Sequence, residues 1–266
     1  MGVPTVKICV ITHKLFWMPE HEVYLPLHVG KAEHPDLDLG YQGDDIGDNI
    51  SLKNHRYCEL TGIYWAWKNL DAEYIGFAQY RRHFMYKEKV KGGNASNVMT
   101  TGEAIAACEQ APIVVPVKRN YYVQTLAQHF LNYSFAETDD LDNMRAAIEE
   151  VDASYLPAFD DVMTRRSGHM CNMFIMRRDL FDSYCKWLFS VMRNLDERID
   201  PARTRILGYF AEHMLDIWMA HEGYDNYLEL ESVFLDHDNE WRKRVGYLLR
   251  LAGQKDASDR FVRRMG

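Results

Sequence analysis

The stretch "YIGFAQYRRHF" (residues 74–84) is an apolar run that ends in two adjacent arginines. Arg81 and Arg82 follow a segment that reads as a buried strand, where guanidinium groups without partners would cost free energy. Guanidinium forks match the geometry of phosphate oxygens and stay charged at any relevant pH. Together with Tyr80, the pair therefore predicts an anion site. The alternative is an arginine pair that bridges acidic loops.

A second polar cluster lies in the loop of residues 43–54, which carries carboxylate and amide side chains among glycines. These groups could hydrogen-bond a ribose or a base edge, and their spacing does not match a calcium-binding loop. The simpler alternative is a set of Asx turns that caps the next helix. The side chains are Asp44, Asp45, Asp48, Asn49, Ser51 and Asn54.

Glu212 lies in the helical pattern "RILGYFAEHMLDIW", among apolar residues such as Phe210 and Met214. Such surroundings remove water from a carboxylate and raise its pKa, as a general base requires. A solvated or ion-paired glutamate fits the same pattern equally well.

Motifs of several enzyme classes are missing from the sequence. No Gly-x-Gly-x-x-Gly follows a strand and no P-loop occurs, which argues against dinucleotide and P-loop sites. The absence of Gly-x-Ser-x-Gly and His-Glu-x-x-His patterns argues against serine and zinc hydrolases. The run Asp236-His237-Asp238 could bind a metal, but its position before a basic tail favours a loop.

The net charge of −8 is unevenly distributed. Residues 241–266 carry eight cations and two anions, and the rest of the chain carries 23 cations and 37 anions. An acidic body argues against nucleic acid as the main partner. The basic tail also contains Trp241, Tyr247 and Phe261, so it could contact the anionic inner face of a cell membrane. A solvated terminal helix is the alternative.

The five cysteines are scattered and form no Cys-x-x-Cys pair, which argues for a reducing compartment. The sequence has no run of eighteen apolar residues and no signal-peptide pattern at its N-terminus. The expected location is therefore the cytoplasm, with peripheral contact to the membrane through the tail.

Hydrophobic periodicity predicts alternating strands and helices. Strands are expected at Val6–Thr12, Tyr74–Gln79, 111–117 and 171–176, and a long loop at 13–54. Helices are expected at 57–70, 126–135, 143–150, 180–195 and 206–217. This alternation predicts an α/β sandwich with a mostly parallel sheet. Ligands of such sheets bind beyond the carboxyl ends of the strands, which would bring the polar clusters into one crevice.

Several of these stretches resemble a known family. "ITHK", "GDNISLKN", "YCELTGIYWAWKNLDAEYIGFAQYRRHF", "CNMFIMRRDLFDSYCKWLF" and "RILGYFAE" are similar to bacterial cell-surface glycan transferases long catalogued as a domain of unknown function. That family has been assigned galactofuranosyltransferase activity in capsule, exopolysaccharide and O-antigen pathways. The resemblance implies a single GT-A-type, Rossmann-like domain, here residues 1–240, followed by the basic tail 241–266.

The resemblance also implies roles for the candidate residues. The chain would be an inverting enzyme that moves galactofuranose from UDP-galactofuranose to a lipid-linked or oligosaccharide acceptor. Glu212 would be the base, and Arg81 and Arg82 would stabilise the leaving diphosphate without a metal, since no Asp-x-Asp follows the strand. Donor-binding candidates are His13, Lys14, Asp48, Asn49, Ser51, Asn54 and Tyr80; those for the sugar and acceptor are His169, Asn172 and Tyr209.

Two positions depart from the family pattern, and two other functions stay open. The family usually has His at the position of Gln79, and Glu-Arg-Leu at Glu212-His213-Met214. Another hexosyltransferase on the same scaffold, for example for UDP-galactopyranose, fits the same residues. So does a nucleotide-sugar-binding module without catalytic activity.

Overall fold

The computed structural model describes residues 2–91, 94–133 and 135–235. The basic tail 241–266 and the run Asp236-His237-Asp238 lie outside the described residues. The predicted boundary between domain and tail therefore stays a prediction. Within the described ranges, none of the helices is both long enough and apolar enough to cross a membrane.

Ten strands are present in the described residues, and two of them match the predicted bounds. These two are Val6–Thr12 and Tyr74–Gln79, both almost fully buried. In chain order the strands are β1 Val6–Thr12, β2 Tyr24–His28, β3 Gln42–Gly43, β4 Tyr74–Gln79, β5 Arg82–Met85, β6 Ile113–Pro116, β7 Arg119–Asn120, β8 Ser167–Gly168, β9 Phe174–Arg177 and β10 Leu228–Phe234. The predicted loop 13–54 therefore contains two short strands, β2 and β3.

Eight strands form one mixed sheet in the order β3-β2-β1-β4-β5-β10-β6-β9. The first four are parallel, whereas β5 and β9 run antiparallel to their neighbours. Because β9 also pairs with β4, the last five strands close into a ring. The α/β class is confirmed, but the mostly parallel sheet is wrong: only Tyr80 and Arg81 separate β4 from β5, and so short a turn joins antiparallel strands.

All five predicted helical segments contain a helix, one of them with a break, but the helices Thr101–Gln110 and Leu156–Thr164 were not predicted. A continuous helix was expected at 57–70, but Cys58 interrupts it with a left-handed φ of 50°. The break leaves Glu59 as the residue that precedes α2. The helices are α1 Asn54–Tyr57, α2 Leu60–Asn69, α3 Thr101–Gln110, α4 Leu126–Leu131, α5 Asp140–Asp152, α6 Leu156–Thr164, α7 Arg178–Arg198 and α8 Ile206–Glu222.

The sheet separates two apolar clusters, because successive side chains of a strand point to opposite faces. In β1, Ile8 and Val10 face α3, while Cys9 and Ile11 face the side of α2, α7 and α8. The apolar faces of α7 and α8 are therefore buried against the sheet. This packing fixes the N-terminal half of α8, which carries the candidate base, near the end of β4 and the start of β9.

Replacement of Gly76 tests the close packing of β4 on β9. We expect Gly76→Ala to lower the free energy of unfolding by about 1–3 kcal/mol. A Cβ atom there would lie 2.7 Å from Cγ1 of Ile175 and 3.1 Å from the carbonyl oxygen of Phe174. Gly102→Ala in α3 is the matched control, because nothing lies within 4 Å of its Cβ position. Its free energy of unfolding should rise by about 0.5–1 kcal/mol. Equal free energies of unfolding for the two variants, measured in urea, would contradict this packing.

Candidate active site

A cluster of cations lies beyond the carboxyl ends of β1 and β4, as the sequence predicted. Tyr80 is buried, and its ring lies 5.4 Å from Nζ of Lys14 and 5.0 Å from Cζ of Arg81. The ring of His13 meets the same tyrosine edge-on at 5.5 Å. Tyr80 thus holds two cationic side chains at one edge of the sheet, in contact with its π face.

Arg205 belongs to the same positive region, although it comes from the residue before α8. Loss of water around the ring and the positive charges of Lys14, Arg205 and Arg81 lower the pKa of His13. Arg205 has a left-handed φ of 62°, and its backbone N–H donates to the carbonyl of His55 at 2.7 Å. This contact fixes the start of α8 next to the cation cluster.

A pair of carboxylates lies on the other side of the site. Glu59 at the start of α2 accepts a hydrogen bond of 2.8 Å from Nδ2 of Asn172, which also donates to the carbonyl of Gly208 in α8 at 3.3 Å. The amide of Asn172 therefore bridges the two helices. Asn172 has a left-handed φ of 49°, which asparagine tolerates better than most residues.

Glu212 is the second carboxylate, and its ionised form is disfavoured where it lies. Burial, reinforced by the negative charge of Glu59, raises the pKa of Glu212 to about 7, although Arg119 and Arg82 lower it. Burial also raises the pKa of Glu59, which the hydrogen bond from Asn172 partly offsets. A carboxyl group that titrates near neutral pH can take up a proton at physiological pH, as a general base must.

The strand ends around Cys171 connect the two halves of the site. Arg82 donates to Sγ of Cys171, and Nε2 of Gln79 donates to its carbonyl oxygen at 3.0 Å. Cys171 has a left-handed φ of 79°, so two such residues in succession precede β9. Gln79, at the position where the family usually has His, thus holds the loop that carries Asn172.

An aromatic wall borders the carboxylates. Half-buried Tyr209 stacks on Phe135 at 3.8 Å between ring centroids, and Phe135 stacks on Tyr133 at 4.9 Å. Arg205 lies 5.8 Å above the ring of Tyr209. Partly exposed aromatic faces next to polar groups suit the C–H face of a sugar. His213 faces the core instead, where burial lowers its pKa to about 4.

The structure brings together His13, Lys14, Tyr80 and Arg81 at one part of the site, and Arg82, Asn172, Tyr209 and Glu212 at the other.

The residues predicted from the loop 43–54 are engaged elsewhere. Ser51 is fully buried, donates to Asp44 at 2.5 Å and accepts from the backbone N–H of Ala32 at 3.0 Å. The second carboxylate oxygen of Asp44 accepts from the N–H of Gly30 at 3.0 Å. These side chains therefore hydrogen-bond the backbone of the neighbouring segment and stabilise the loop.

Asp48 and Asn49 of this loop also make local contacts. The backbone N–H of Asp48 donates to Oδ1 of Asn69, at the end of α2 opposite to Glu59. The amide nitrogen of Asn49 donates to the carbonyls of Asp45 and Gly47. Its side-chain oxygen accepts from the backbone N–H of Ser51 at 3.2 Å, as in the predicted Asx turns.

Two further candidates lie beside the site. Asn54 donates to the carbonyl of Cys58 at 2.8 Å and thereby supports the break before Glu59. His169 is buried in a separate cavity, where Nδ1 contacts Asp216 at 2.5 Å.

Three residues of the site were not predicted: Glu59, Arg119 and Arg205. Glu59 lies in an apolar helical pattern, where a charged residue is unusual, and this could have indicated a functional role. Arg205 directly precedes the apolar run that begins at Ile206. A cation at the start of a helix is also unusual, so its position could have indicated a functional role. Arg119 follows β6 in an exposed segment and has no such signal.

Comparisons with known proteins identify a family and a similar solved structure. The family model described as a domain of unknown function (DUF4422) matches residues 7–223. A solved structure of the WbbM bifunctional glycosyltransferase, in its apo form, is similar with a TM-score of 0.79 and 30% sequence identity. The similarity covers 88% of this chain and 46% of that chain, so this chain spans about half the length of the solved one. None of the curated proteins matches.

Titration of Glu212 tests the carboxylate pair directly. We expect a midpoint of about 7 for its carboxyl group in ¹³C NMR spectra, assigned with Glu212→Gln. Glu59→Gln removes a negative neighbour that disfavours ionisation, so the midpoint should move to lower pH. Glu222→Gln is the control, because ten residues of α8 place it roughly 15 Å away. A midpoint near 4.5 that is the same in both variants would contradict the pair.

Proposed function

The chain belongs to the DUF4422 family, and we propose that it transfers a glycosyl group from a nucleotide sugar to a glycan acceptor. The observation that carries this proposal is the opposition of a cation cluster and a carboxylate pair at one edge of the sheet. Glycosyl transfer needs both, because a diphosphate must leave and an acceptor hydroxyl must lose its proton.

The cation cluster fits the leaving diphosphate. Lys14, Arg81 and Arg205 come from three different segments and act together on His13. Charge-assisted contacts from such groups stabilise the negative charge that develops on the departing diphosphate. We propose that these fixed cations do this without a divalent metal. Tyr80 holds Lys14 and Arg81 in place through its ring.

The carboxylate pair fits the acceptor side. Glu212 takes the proton of an acceptor hydroxyl, whose oxygen then attacks C1 of the donor sugar. The bond between C1 and the diphosphate oxygen breaks, and the electron pair leaves with the diphosphate. If attack occurs on the face opposite to the leaving group, the configuration at C1 inverts. Burial, together with the negative charge of Glu59, keeps the pKa of Glu212 high enough to accept the proton.

The donor in this proposal is UDP-galactofuranose, on the basis of the family resemblance. A panel of UDP-hexoses with α- and β-galactoside acceptors, read by mass spectrometry, separates it from UDP-galactopyranose. Release of UDP without acceptor favours either enzyme over a binding module. The cytoplasmic location, the lipid-linked or oligosaccharide acceptor and the contact of the tail with the membrane stay predictions.

Removal of the Glu212 carboxylate should abolish most of the turnover. We expect Glu212→Gln to lower kcat by roughly two to four orders of magnitude and to leave UDP affinity within a few-fold. Since the folded state raises the pKa of Glu212 above 4.5, ionisation between pH 4.5 and about 7 disfavours folding. The variant should therefore melt no lower than the wild type at pH 8. Near-normal turnover would exclude Glu212 as the base.

Removal of one guanidinium group should weaken the binding of UDP more than that of uridine, because uridine lacks the diphosphate. We expect Arg81→Ala to reduce UDP affinity about ten- to a hundred-fold, the equivalent of about 1.5–3 kcal/mol. Arg81→Lys should restore only part of it, because an ammonium group loses the two-pronged geometry. Arg145→Ala is the control, as this arginine pairs with Asp160 on the surface.

Calorimetric titrations with UDP and uridine and an assay of turnover each have one outcome that would contradict this assignment. One is an equal effect of Arg81→Ala on UDP and uridine, which would indicate a structural role. The other is turnover that disappears in EDTA and returns only with Mn²⁺ or Mg²⁺, which would show that a metal does the work assigned to the cations.

A further inference from the structure

A cavity of about 360 Å³ lies beside the candidate active site, against the last turns of α8. It is separate from both the cation cluster and the carboxylate pair. Its lining combines aromatic rings, hydroxyl groups and charges of both signs. The lining residues are Lys118, Arg165, Ser167, His169, Asp216, Met219, Ala220, Tyr224, Asp225 and Tyr227.

One wall of the cavity is a buried chain of polar groups. Asp216 accepts from the backbone N–H of His169 at 3.0 Å, and its other oxygen lies 2.5 Å from Nδ1 of the ring. Nε2 of His169 lies 3.1 Å from Glu229. Gly168 permits this approach, because a Cβ there would lie 2.9 Å from Asp216. These groups satisfy one another, which makes the wall rigid and preformed.

Another part of the lining is aromatic and half-buried. Tyr224 packs on Trp218 with ring centroids 5.0 Å apart, and Tyr227 meets the ring of His169 edge-on at 5.5 Å. The hydroxyl of Tyr227 accepts from Nζ of Lys118 at 3.0 Å. Fixed aromatic faces next to hydroxyl and charged groups offer a sugar both its apolar and its polar contacts.

The charges of the lining favour a neutral ligand over a phosphate. Lys118 lies 3.9 Å from Glu229, and Arg165 pairs with Asp161 at 2.5 Å. Asp216 and Asp225 add two carboxylates to the wall. The cations of the lining are therefore balanced by nearby anions.

Three chain segments connect the wall of the cavity to the candidate active site. Asp216 follows Glu212 by four residues on α8, a rise of roughly 6 Å, about the length of one hexose unit. Lys118 adjoins Arg119, and His169 is two residues from Cys171. Three elements thus run from the carboxylate pair to the cavity wall.

We propose that this cavity binds a neutral hexosyl unit of the acceptor, next to the unit whose hydroxyl Glu212 deprotonates. The assignment rests on the proposed glycosyl transfer. It means that the enzyme recognises at least a disaccharide, with the terminal sugar at the aromatic wall of Tyr209 and the adjoining sugar between Tyr224 and His169.

Direct binding tests this assignment without any need for turnover. The probes are α- and β-linked octyl digalactosides and the matching octyl monogalactosides, titrated in the presence of UDP. We expect a digalactoside to bind roughly ten-fold more tightly than its monogalactoside. Tyr224→Ala should remove this difference and leave monogalactoside binding within two-fold. Tyr86→Ala, a half-buried tyrosine whose hydroxyl contacts Gln110 instead, should change neither.

The outcomes separate this assignment from the proposed function. Three outcomes would overturn it. The wild type could bind mono- and digalactosides with equal affinity, or Tyr224→Ala could lose the same affinity for both. The cavity could also bind inorganic phosphate more strongly than a digalactoside. Digalactoside selectivity without release of UDP from any donor would support the cavity and count against the transfer reaction. A circular dichroism spectrum and a melting temperature like those of the wild type would show that Tyr224→Ala is folded.

Discussion

The amide of Asn172 joins the elements on which the candidate site depends. It donates to Glu59 at the start of α2 and to the carbonyl of Gly208 in α8, and the loop that carries it is held by Gln79 and Arg82. Two like charges on separate helices are brought together only because this bridge and the packed core fix both helix starts. The same loop leads into β9, whose pairing with β4 closes the ring of strands.

The separation of charge follows from this construction. Lys14 and Arg81 lie beyond the carboxyl ends of β1 and β4, whereas Glu59 precedes α2 and Glu212 lies in the second turn of α8. A low-polarity environment makes an ionised carboxylate costly, so Glu212 titrates near neutral pH while the arginines stay charged. One edge of the sheet therefore offers both a receptor for developing negative charge and a group that accepts a proton.

The sequence predicted the parts of the site that follow directly from buried strands. Residues such as Lys14 and Arg81 come immediately after apolar runs, and strand topology then brings them together. Glu59 could not be predicted in this way, because a left-handed conformation at Cys58 breaks an otherwise regular helical pattern. Such a conformation is unfavourable for a residue with a side chain, so only tertiary contacts impose it.

The sheet, too, could be predicted from the sequence only in part. β1 and β4 are buried on both faces and were predicted to the residue, whereas β10 alternates between exposed and buried positions and β2 contains Pro26. The antiparallel direction of β9 depends on contacts distant in sequence. Likewise, Ser51 has the chemistry of a ligand-binding residue, but Asp44 and Ala32 occupy its hydroxyl group.

The position of UDP in a crystal structure of its complex with this chain tests the central claim most directly. The account predicts that the diphosphate contacts Lys14 and Arg81 next to the ring of Tyr80, with Glu212 facing the space left for the sugars. A diphosphate bound instead between Lys118 and Arg165 in the cavity beside α8 would contradict it.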